Sequence, residues 1–182
     1  MGRVSKEQAG KNREKVVATA SELFRRRGIA AVNITDIMSA ASLTHGGFYN
    51  QFGSKEALAA EAVEFAFDKA LEAWRANDRG SGRERRSRLA RLYLRSAAPD
   101  ACPLPTLGSE VAQSAPDSDL RKAYADGLTQ FADLLNRDAA DDRGLALLAA
   151  LVGARVLRRA SNDTSLADEI DAAVIAMSER DG

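Results

Sequence analysis

The sequence predicts an all-α protein, and three observations support this fold class. Helix-favouring residues, above all Ala, Leu, Glu and Arg, are abundant, while the β-branched and aromatic residues that favour strands are sparse. The four prolines are confined to residues 99–116, so long helices can run without interruption on either side. Apolar residues make up 45% of the 182 residues, enough for the core of one large domain or two small ones.

The individual helices are predicted from apolar spacing and from residues that cap helix ends. Gly28 is expected to end a first helix, and Asn33 with Asp36 has the spacing of a capping box at the start of a second. Thr44 and Ser54 are expected to cap the third and fourth. The predicted helices span residues 11–27, 34–41, 44–52, 54–75, 83–97, 104–114, 118–137, 142–159 and 166–178.

The second and third helices are short and are joined by a tight connection, which is the pattern of a helix-turn-helix. An ordinary corner between two helices of a bundle has the same spacing, so spacing alone leaves both interpretations open. We predict a three-helix domain containing the helix-turn-helix over residues 1–53. A larger helical domain is predicted over residues 54–182, with about nine helices in the whole chain.

Charge is distributed unevenly along the chain. The net charge is zero, but residues 1–55 contain nine Lys or Arg and four acidic residues, a net charge of +5. The remainder therefore carries −5. Such asymmetry suggests that the N-terminal part faces a polyanion, although a solvated basic surface is an equally simple explanation.

Residues 43–55, with the sequence LTHGGFYNQFGSK, combine glycines with aromatic residues. Phe48 and Phe52 are four residues apart, so they share the helix face that would anchor this segment to the first two helices. Gly46 and Gly47 leave the opposite face nearly bare, which allows the backbone to approach a partner closely. This geometry is typical of a recognition helix, whose N-terminal residues lie nearest the base edges in the major groove.

The polar residues of the same segment have chemistry that suits duplex DNA. His45 and Asn50 can bond to base edges, whereas the Tyr49 phenol can donate to a phosphate oxygen. Lys55 stands at the start of the fourth helix, where the helix dipole disfavours a cation. A phosphate bound at that helix end would reverse the effect, and simple solvation of Lys55 is the alternative.

Residues 13–65 resemble the N-terminal DNA-binding domain of the TetR/AcrR family of bacterial transcriptional regulators. One departure from the family pattern is Ser42, which stands where the family more often has a glycine after alanine. The motifs that carry the resemblance are A-x-x-L-F-x-x-x-G at residues 20–28, N-I-T-D-I at 33–37, L-T-x-G-x-F-Y-x-x-F at 43–52 and S-K-E-A-L at 54–58.

The resemblance implies a homodimer that binds a palindromic operator in double-stranded DNA, usually as a repressor, and that a small-molecule effector releases. It implies phosphate contacts from Thr44, Tyr49 and Lys55. The full set of predicted DNA-binding residues is Asn33, Thr35, Thr44, His45, Gly46, Gly47, Tyr49, Asn50 and Lys55.

The last two helices carry apolar residues at helical spacing, which fits either the core of the monomer or a dimer interface. The resemblance favours the interface, because in this family the final two helices pair with their symmetry mates. The predicted interface residues are Leu145, Leu148, Val152, Val156, Ile170 and Val174.

The middle helices are expected to line the effector pocket, with Glu110 as a candidate polar anchor among small and apolar neighbours. Cys102 lies just before a predicted helix, and a position near a helix N-terminus lowers the pKa of a thiol and raises its reactivity. A regulator that senses oxidants or electrophiles through Cys102 is therefore an alternative, and a small buried residue is the simpler interpretation. The predicted pocket residues are Tyr93, Cys102, Leu107, Glu110 and Phe131.

Other function classes have little support in the sequence. One histidine and one cysteine, 57 residues apart, give no metal-ligand spacing and no nucleophile–base set, so we expect no enzyme, metal site or cofactor. A helical adaptor without DNA binding is the rival from another class. The polar N-terminus and a longest apolar run, residues 144–154, of about half a membrane span predict a cytoplasmic protein without a membrane partner.

Overall fold

The computed structural model describes residues 6–80, 82–96, 102–137 and 143–179. Over these ranges the regular structure is entirely helical, which confirms the predicted fold class and the approximate number of helices. The helices are α1 (Lys6–Arg27), α2 (Ile34–Ala40), α3 (Lys55–Ala76), α4 (Gly82–Arg95), α5 (Pro103–Val111), α6 (Asp119–Asn136), α7 (Arg143–Ala160) and α8 (Thr164–Glu179), with a 3-10 helix at His45–Gly47.

Helix ends follow from the capping residues in the sequence. The Asn33 side chain accepts a hydrogen bond from the Asp36 amide at 2.8 Å, and the Asp36 carboxylate accepts one from the Asn33 amide at 3.3 Å. This capping box begins α2 as predicted. Ser54 caps α3 by accepting a hydrogen bond from the Ala57 amide at 3.1 Å.

The predicted third helix over residues 44–52 is wrong in length. Regular helix is confined to His45–Gly47, and Thr44 makes no side-chain capping bond. The chain forms a further turn after it, in which the Phe52 amide donates to the Phe48 carbonyl at 2.9 Å. Two adjacent glycines destabilise an α-helix by about 1 kcal/mol each relative to alanine, so this segment forms successive turns instead.

The helices share one apolar core. Helix α1 packs on α2, α3 and α5; α3 packs on α6; and α4, α7 and α8 pack on one another. Buried residues run without a break from Phe24 in α1 through Leu71 in α3 to Leu151 in α7. The N-terminal helices are thus joined to the rest through α3, and the predicted domain boundary at residues 53 and 54 stays a prediction.

Close contact between α3 and α6 depends on aromatic rings. A side chain at Gly127 would place its Cβ 2.2 Å from the Phe67 ring, so glycine is required where these two helices meet. Phe131 packs edge-on to Trp74, with ring centroids 4.6 Å apart. In the part of the chain that the structure describes, no helix is long and apolar enough to cross a membrane.

The turn after α2 has the hydrogen bonds of a Schellman motif. The Ser42 amide donates to the Ser39 carbonyl at 3.0 Å, and the Leu43 amide donates to the Met38 carbonyl at 2.8 Å. Ser42 has a φ of 59°, and among the described residues it is the one non-glycine residue in the left-handed region. The backbone here therefore adopts a conformation that glycine accepts more easily than serine.

Replacing this serine tests the strain at the turn. We expect Ser42→Gly to raise the free energy of unfolding by about 1 kcal/mol, because glycine removes the clash between Cβ and the backbone. Urea denaturation followed by circular dichroism measures the change. Ser39→Gly, inside α2, is the control and should lower stability by a similar or smaller amount. A Ser42→Gly variant less stable than the parent contradicts the assignment of strain.

Candidate nucleic-acid interface

Two phenylalanine rings fix residues 43–52 to the core. Phe48 is fully buried and Phe52 is 3% exposed, and their rings stack with centroids 5.5 Å apart. The guanidinium of Arg13, from α1, lies over the Phe52 ring at 4.8 Å from its centroid. The predicted anchoring face is therefore confirmed, and Arg13 adds a contact from α1 that the sequence did not predict.

The opposite side of this segment faces outward. Tyr49 is 63% exposed, and its ring lies edge-on to the buried Phe48 ring at 5.1 Å. Apart from its chain neighbours, no atom of the described residues lies within 4 Å of where a Cβ at Gly46 would be. At Gly47 such an atom would make ordinary contacts, the nearest at 3.8 Å. Packing inside the protein therefore does not require glycine at either position.

The other predicted DNA-binding residues are also accessible. Asn33 and Thr35 are exposed at the start of α2. The side-chain oxygen of Asn33 accepts a hydrogen bond from the Asp36 amide. The Asn33 side-chain NH₂ group is then the donor that it can offer to a partner. Of the nine predicted residues, Gly47 and Lys55 are partly buried, and Asn33, Thr35, Thr44, His45, Gly46, Tyr49 and Asn50 are exposed.

The N-terminus of α3 carries an internal negative charge beside Lys55. Hydrogen bonds from its own backbone amide and from Ser54 lower the pKa of Glu56, and the Lys55 ammonium contributes in the same direction. The Glu56 carboxylate therefore offsets part of the helix dipole that Lys55 meets. Lys55 can hold its position without a bound phosphate, which removes part of the sequence argument for one.

Ion pairs neutralise several of the basic side chains in residues 1–55. Lys11 pairs with Glu7 at 2.6 Å, Arg26 with Glu22 at 3.1 Å, and Arg27 with Asp36 at 3.5 Å. Exposed pairs of this kind contribute little to stability, about 0–1 kcal/mol each. A polyanion can therefore compete for these cations at small cost, although the free positive surface is smaller than the sequence count suggests.

Comparison with known proteins finds a family model that matches this part of the chain. Residues 16–62 match the model of the bacterial regulatory proteins of the tetR family. This part of the chain is therefore similar to the tetR family of bacterial regulatory proteins. The match spans the C-terminal half of α1, all of α2, the 3-10 helix and the first third of α3, and these elements carry the site described above.

A curated relative agrees with the match. Over 53 residues the chain is 40% identical to the uncharacterized HTH-type transcriptional regulator YerO of Bacillus subtilis (strain 168). That segment is 29% of this chain, and the chain covers 18% of the length of that curated relative.

Solved structures show that the similarity of fold extends over nearly the whole chain. A TetR transcriptional regulator from Chloroflexus aurantiacus is 25% identical with a TM-score of 0.76, and the alignment covers 93% of this chain and 95% of that one. A TetR-family regulator from Cytophaga hutchinsonii is 20% identical with a TM-score of 0.77, covering 97% and 96%.

Most of the predicted pocket residues belong to the core of the chain. Leu107 and Phe131 are buried, and Tyr93 is 4% exposed with the Arg155 guanidinium 5.6 Å from its ring centroid. The Tyr93 hydroxyl has no hydrogen-bond partner in the part of the chain that the structure describes. Its burial, and the nearby Cys102 thiol, raise the pKa of Tyr93 far above its usual value.

The lowered pKa expected for Cys102 is wrong. Cys102 does precede the first turn of α5, but it is buried among apolar residues. Burial raises the pKa of the thiol to about 11, and the opposing effects of the Leu104 amide, Tyr93 and Arg155 are smaller. The thiol is therefore protonated at neutral pH, which weakens the case for a reactive sensor.

Glu110 has a different partner from the one expected. Its carboxylate accepts a hydrogen bond from the Ile29 amide at 2.5 Å. Ile29 follows α1, so this bond joins α5 to the connection between α1 and α2. Glu110 thus makes a contact within the protein that no pattern in the sequence indicated, and its predicted role as an anchor for an effector stays a prediction.

The predicted dimer residues divide into three groups. Leu145 and Val156 are 53% and 44% exposed, whereas Val152, Ile170 and Val174 are partly buried against the core. Leu148 is 2% exposed, so its assignment to an interface is corrected: it is a core residue of the monomer. Three further apolar side chains on α7 and α8 are exposed, namely Leu157, Leu166 and Met177.

Alkylation kinetics test the state of Cys102, since it is the single cysteine of the chain. A thiol pKa of about 11 instead of 9 lowers the thiolate fraction at pH 8 about a hundredfold. We expect iodoacetamide to label the native chain at least that much more slowly than the chain unfolded in guanidinium chloride, with the native rate rising towards pH 11. Equal rates for the native and unfolded chains at pH 8 would contradict the burial of the thiol.

Proposed function

We propose that the chain is a transcriptional regulator that binds double-stranded DNA through residues 43–55 and the start of α2. One observation carries this proposal: the segment is fixed from behind by Phe48 and Phe52, while Gly46 faces outward with open space around it. A protein gains no internal packing from such a bare turn. The turn has a use if its backbone must come close to a partner, as in a major groove.

In this proposal the residues divide into two groups by chemistry. Phosphate contacts position the domain on the duplex, and base-edge contacts provide sequence preference. Asn33, Thr35, Thr44, Tyr49 and Lys55 are assigned to the sugar–phosphate backbone, and His45, Gly46, Gly47 and Asn50 to positions near the bases.

Exposed apolar side chains on α7 and α8 support a homodimer. Leu145, Val156 and Leu157 on α7 are each more than two-fifths exposed, as are Leu166 and Met177 on α8. Large exposed apolar side chains on adjacent helices mark an interaction surface. A two-fold dimer would present two binding segments to a palindromic operator. We propose that the bound dimer represses transcription, and that a small-molecule effector releases it by binding to the helices beyond α3.

A variant that adds bulk without disturbing the core tests the proposal directly. Gly46→Leu should keep the fold, because open space surrounds Gly46, and it should block close approach of the backbone to DNA. Duplexes selected from a random pool by the parent chain are the probe, and gel-shift titration is the measurement. Gly10→Leu, at another glycine with open space around it in α1, is the matched control and should bind like the parent.

Salt dependence gives a second measure in the same titrations. The logarithm of the binding constant should fall linearly with the logarithm of salt concentration, with a slope of several units, as phosphate contacts release counterions. A parent chain that selects no duplex, or that binds without salt dependence, contradicts the proposal and favours the helical adaptor. Equal binding by the parent and a folded Gly46→Leu variant would move the site elsewhere.

Two single substitutions separate positioning from recognition. We expect Tyr49→Phe to weaken binding to selected and random duplexes by the same factor, about fivefold, because it removes one bond to a phosphate. Asn50→Ala should change the preference among duplexes, because Asn50 is assigned to a base edge. Competition titrations with selected and random duplexes measure both effects. If each variant loses affinity equally for both kinds of DNA, the division of roles is wrong.

A further inference from the structure

We propose that Glu110 is a positioning residue for DNA binding, which holds the connection between α1 and α2 on helix α5. The inference rests on the proposed function, because it concerns how the DNA-binding segment is oriented. The contact joins residues 81 positions apart in the sequence, and it links an N-terminal element to a helix well beyond the family match.

The bond itself is of a strong type. One carboxylate oxygen of Glu110 accepts from the Ile29 amide at 2.5 Å. A hydrogen bond from a backbone amide to a carboxylate is shorter and stronger than one between neutral groups. The Ile29 amide lies two residues past the end of α1, so Glu110 fixes the backbone at the point where the chain leaves the helix.

Gly28 allows the carboxylate to reach this amide. It has a φ of +86°, and a Cβ there would lie 2.5 Å from the second oxygen of Glu110 and 3.2 Å from its carboxyl carbon. Glycine is thus required twice at this position, for the left-handed turn that ends α1 and for the space that the carboxylate occupies. Both features of Gly28 fit a connection shaped around Glu110.

Helix α5 is a firm support for this contact. Leu104, Leu107 and Val111 are each 5% exposed or less, so one face of the helix is embedded in the core. The Tyr124 hydroxyl donates to the Leu104 carbonyl at 2.8 Å and ties α5 to α6. The backbone that carries Glu110 is therefore held by the core, and the Ile29 amide is bonded to a helix of the larger helical part.

The effect reaches the DNA-binding residues over a short distance. Asn33, which caps α2, follows Ile29 by four residues, and Val32 between them is fully buried. Fixing Ile29 therefore restricts where α2 can begin. The 3-10 turn at His45–Gly47 packs on α2, so it follows the placement of that helix. Loss of the bond should allow α2 and this turn to sample orientations that do not match a groove.

The sign of the charge effect makes the experiment decisive. Glu110→Ala removes a negative charge, which by itself should strengthen binding to a polyanion. If Glu110 positions the α1–α2 connection, Glu110→Ala should instead weaken binding to a duplex selected by the parent chain about tenfold. Glu110→Gln keeps an oxygen that can accept from Ile29 and should stay within about threefold of the parent.

Control variants and a readout without DNA separate positioning from simple destabilisation. Glu72→Ala makes the same change of charge at an exposed residue of α3 and should bind as well as the parent or better. All titrations are made at a temperature where circular dichroism shows every variant folded. Hydrogen exchange should show the Ile29 amide protected in the parent and in Glu110→Gln, and exchanging faster in Glu110→Ala.

Gly28→Ala provides an independent approach to the same contact. Its methyl group would displace the Glu110 carboxylate and would also strain the left-handed turn at residue 28, so this variant should lose at least as much DNA affinity as Glu110→Ala. Because both changes break the same bond, the double variant should lose less affinity than the two single losses combined, and the strain at residue 28 accounts for what Gly28→Ala still adds.

The outcomes distinguish failure of this inference from failure of the proposed function. A parent chain that binds no duplex overturns both. A parent that binds, with a folded Glu110→Ala variant of equal affinity or with an unchanged Ile29 exchange rate, overturns the positioning role alone. Full additivity of Gly28→Ala and Glu110→Ala also overturns it.

Discussion

The burial of two phenylalanine rings makes the rest of the candidate interface possible. Phe48 and Phe52 are almost wholly removed from water, and together they contribute on the order of 4 kcal/mol through apolar burial. That contribution holds a segment in which three glycines oppose regular structure. The backbone just before the rings, at Gly46 and Gly47, can therefore remain bare on its outer side and still keep one shape. A surface whose backbone must come close to another molecule needs this combination of buried anchoring side chains and a position without a side chain.

The positive charge available to a partner at the same surface is smaller than the net charge of residues 1–55 implies. Several of its cations already have acidic partners within the protein, and Glu56 moderates the dipole at the N-terminus of α3. Weak pairs of this type keep basic side chains ordered and can be exchanged for phosphates at little cost. The chain as a whole is neutral, so attraction to DNA would be local to this end and would not arise from overall charge.

Local sequence rules predicted the parts of the molecule that local physics controls. The capping box at Asn33, the cap at Ser54 and the anchoring pair of rings depend on residues within four positions of each other, and all three are present. Contacts between distant segments were beyond such rules. The raised pKa of Cys102 reflects burial by helices far along the chain, and the bond of Glu110 to the Ile29 amide crosses 81 residues. Apolar periodicity on α7 likewise could not separate Leu148, which faces the core, from its exposed neighbours.

The unbroken core through α3 has a consequence for the modularity of the chain. The first turns of that helix bury Leu58, Ala59 and Val63, and the same helix then packs along α6. Cutting the chain just before α3 would remove the main apolar neighbour of α1. Both fragments would then expose to water the apolar surfaces that pack on each other in the intact chain. The helices that carry the proposed DNA-binding segment therefore depend on α3 for their packing. An exchange of these N-terminal helices between proteins would have to include the first turns of α3, so the junction between the two sequences would fall within a helix.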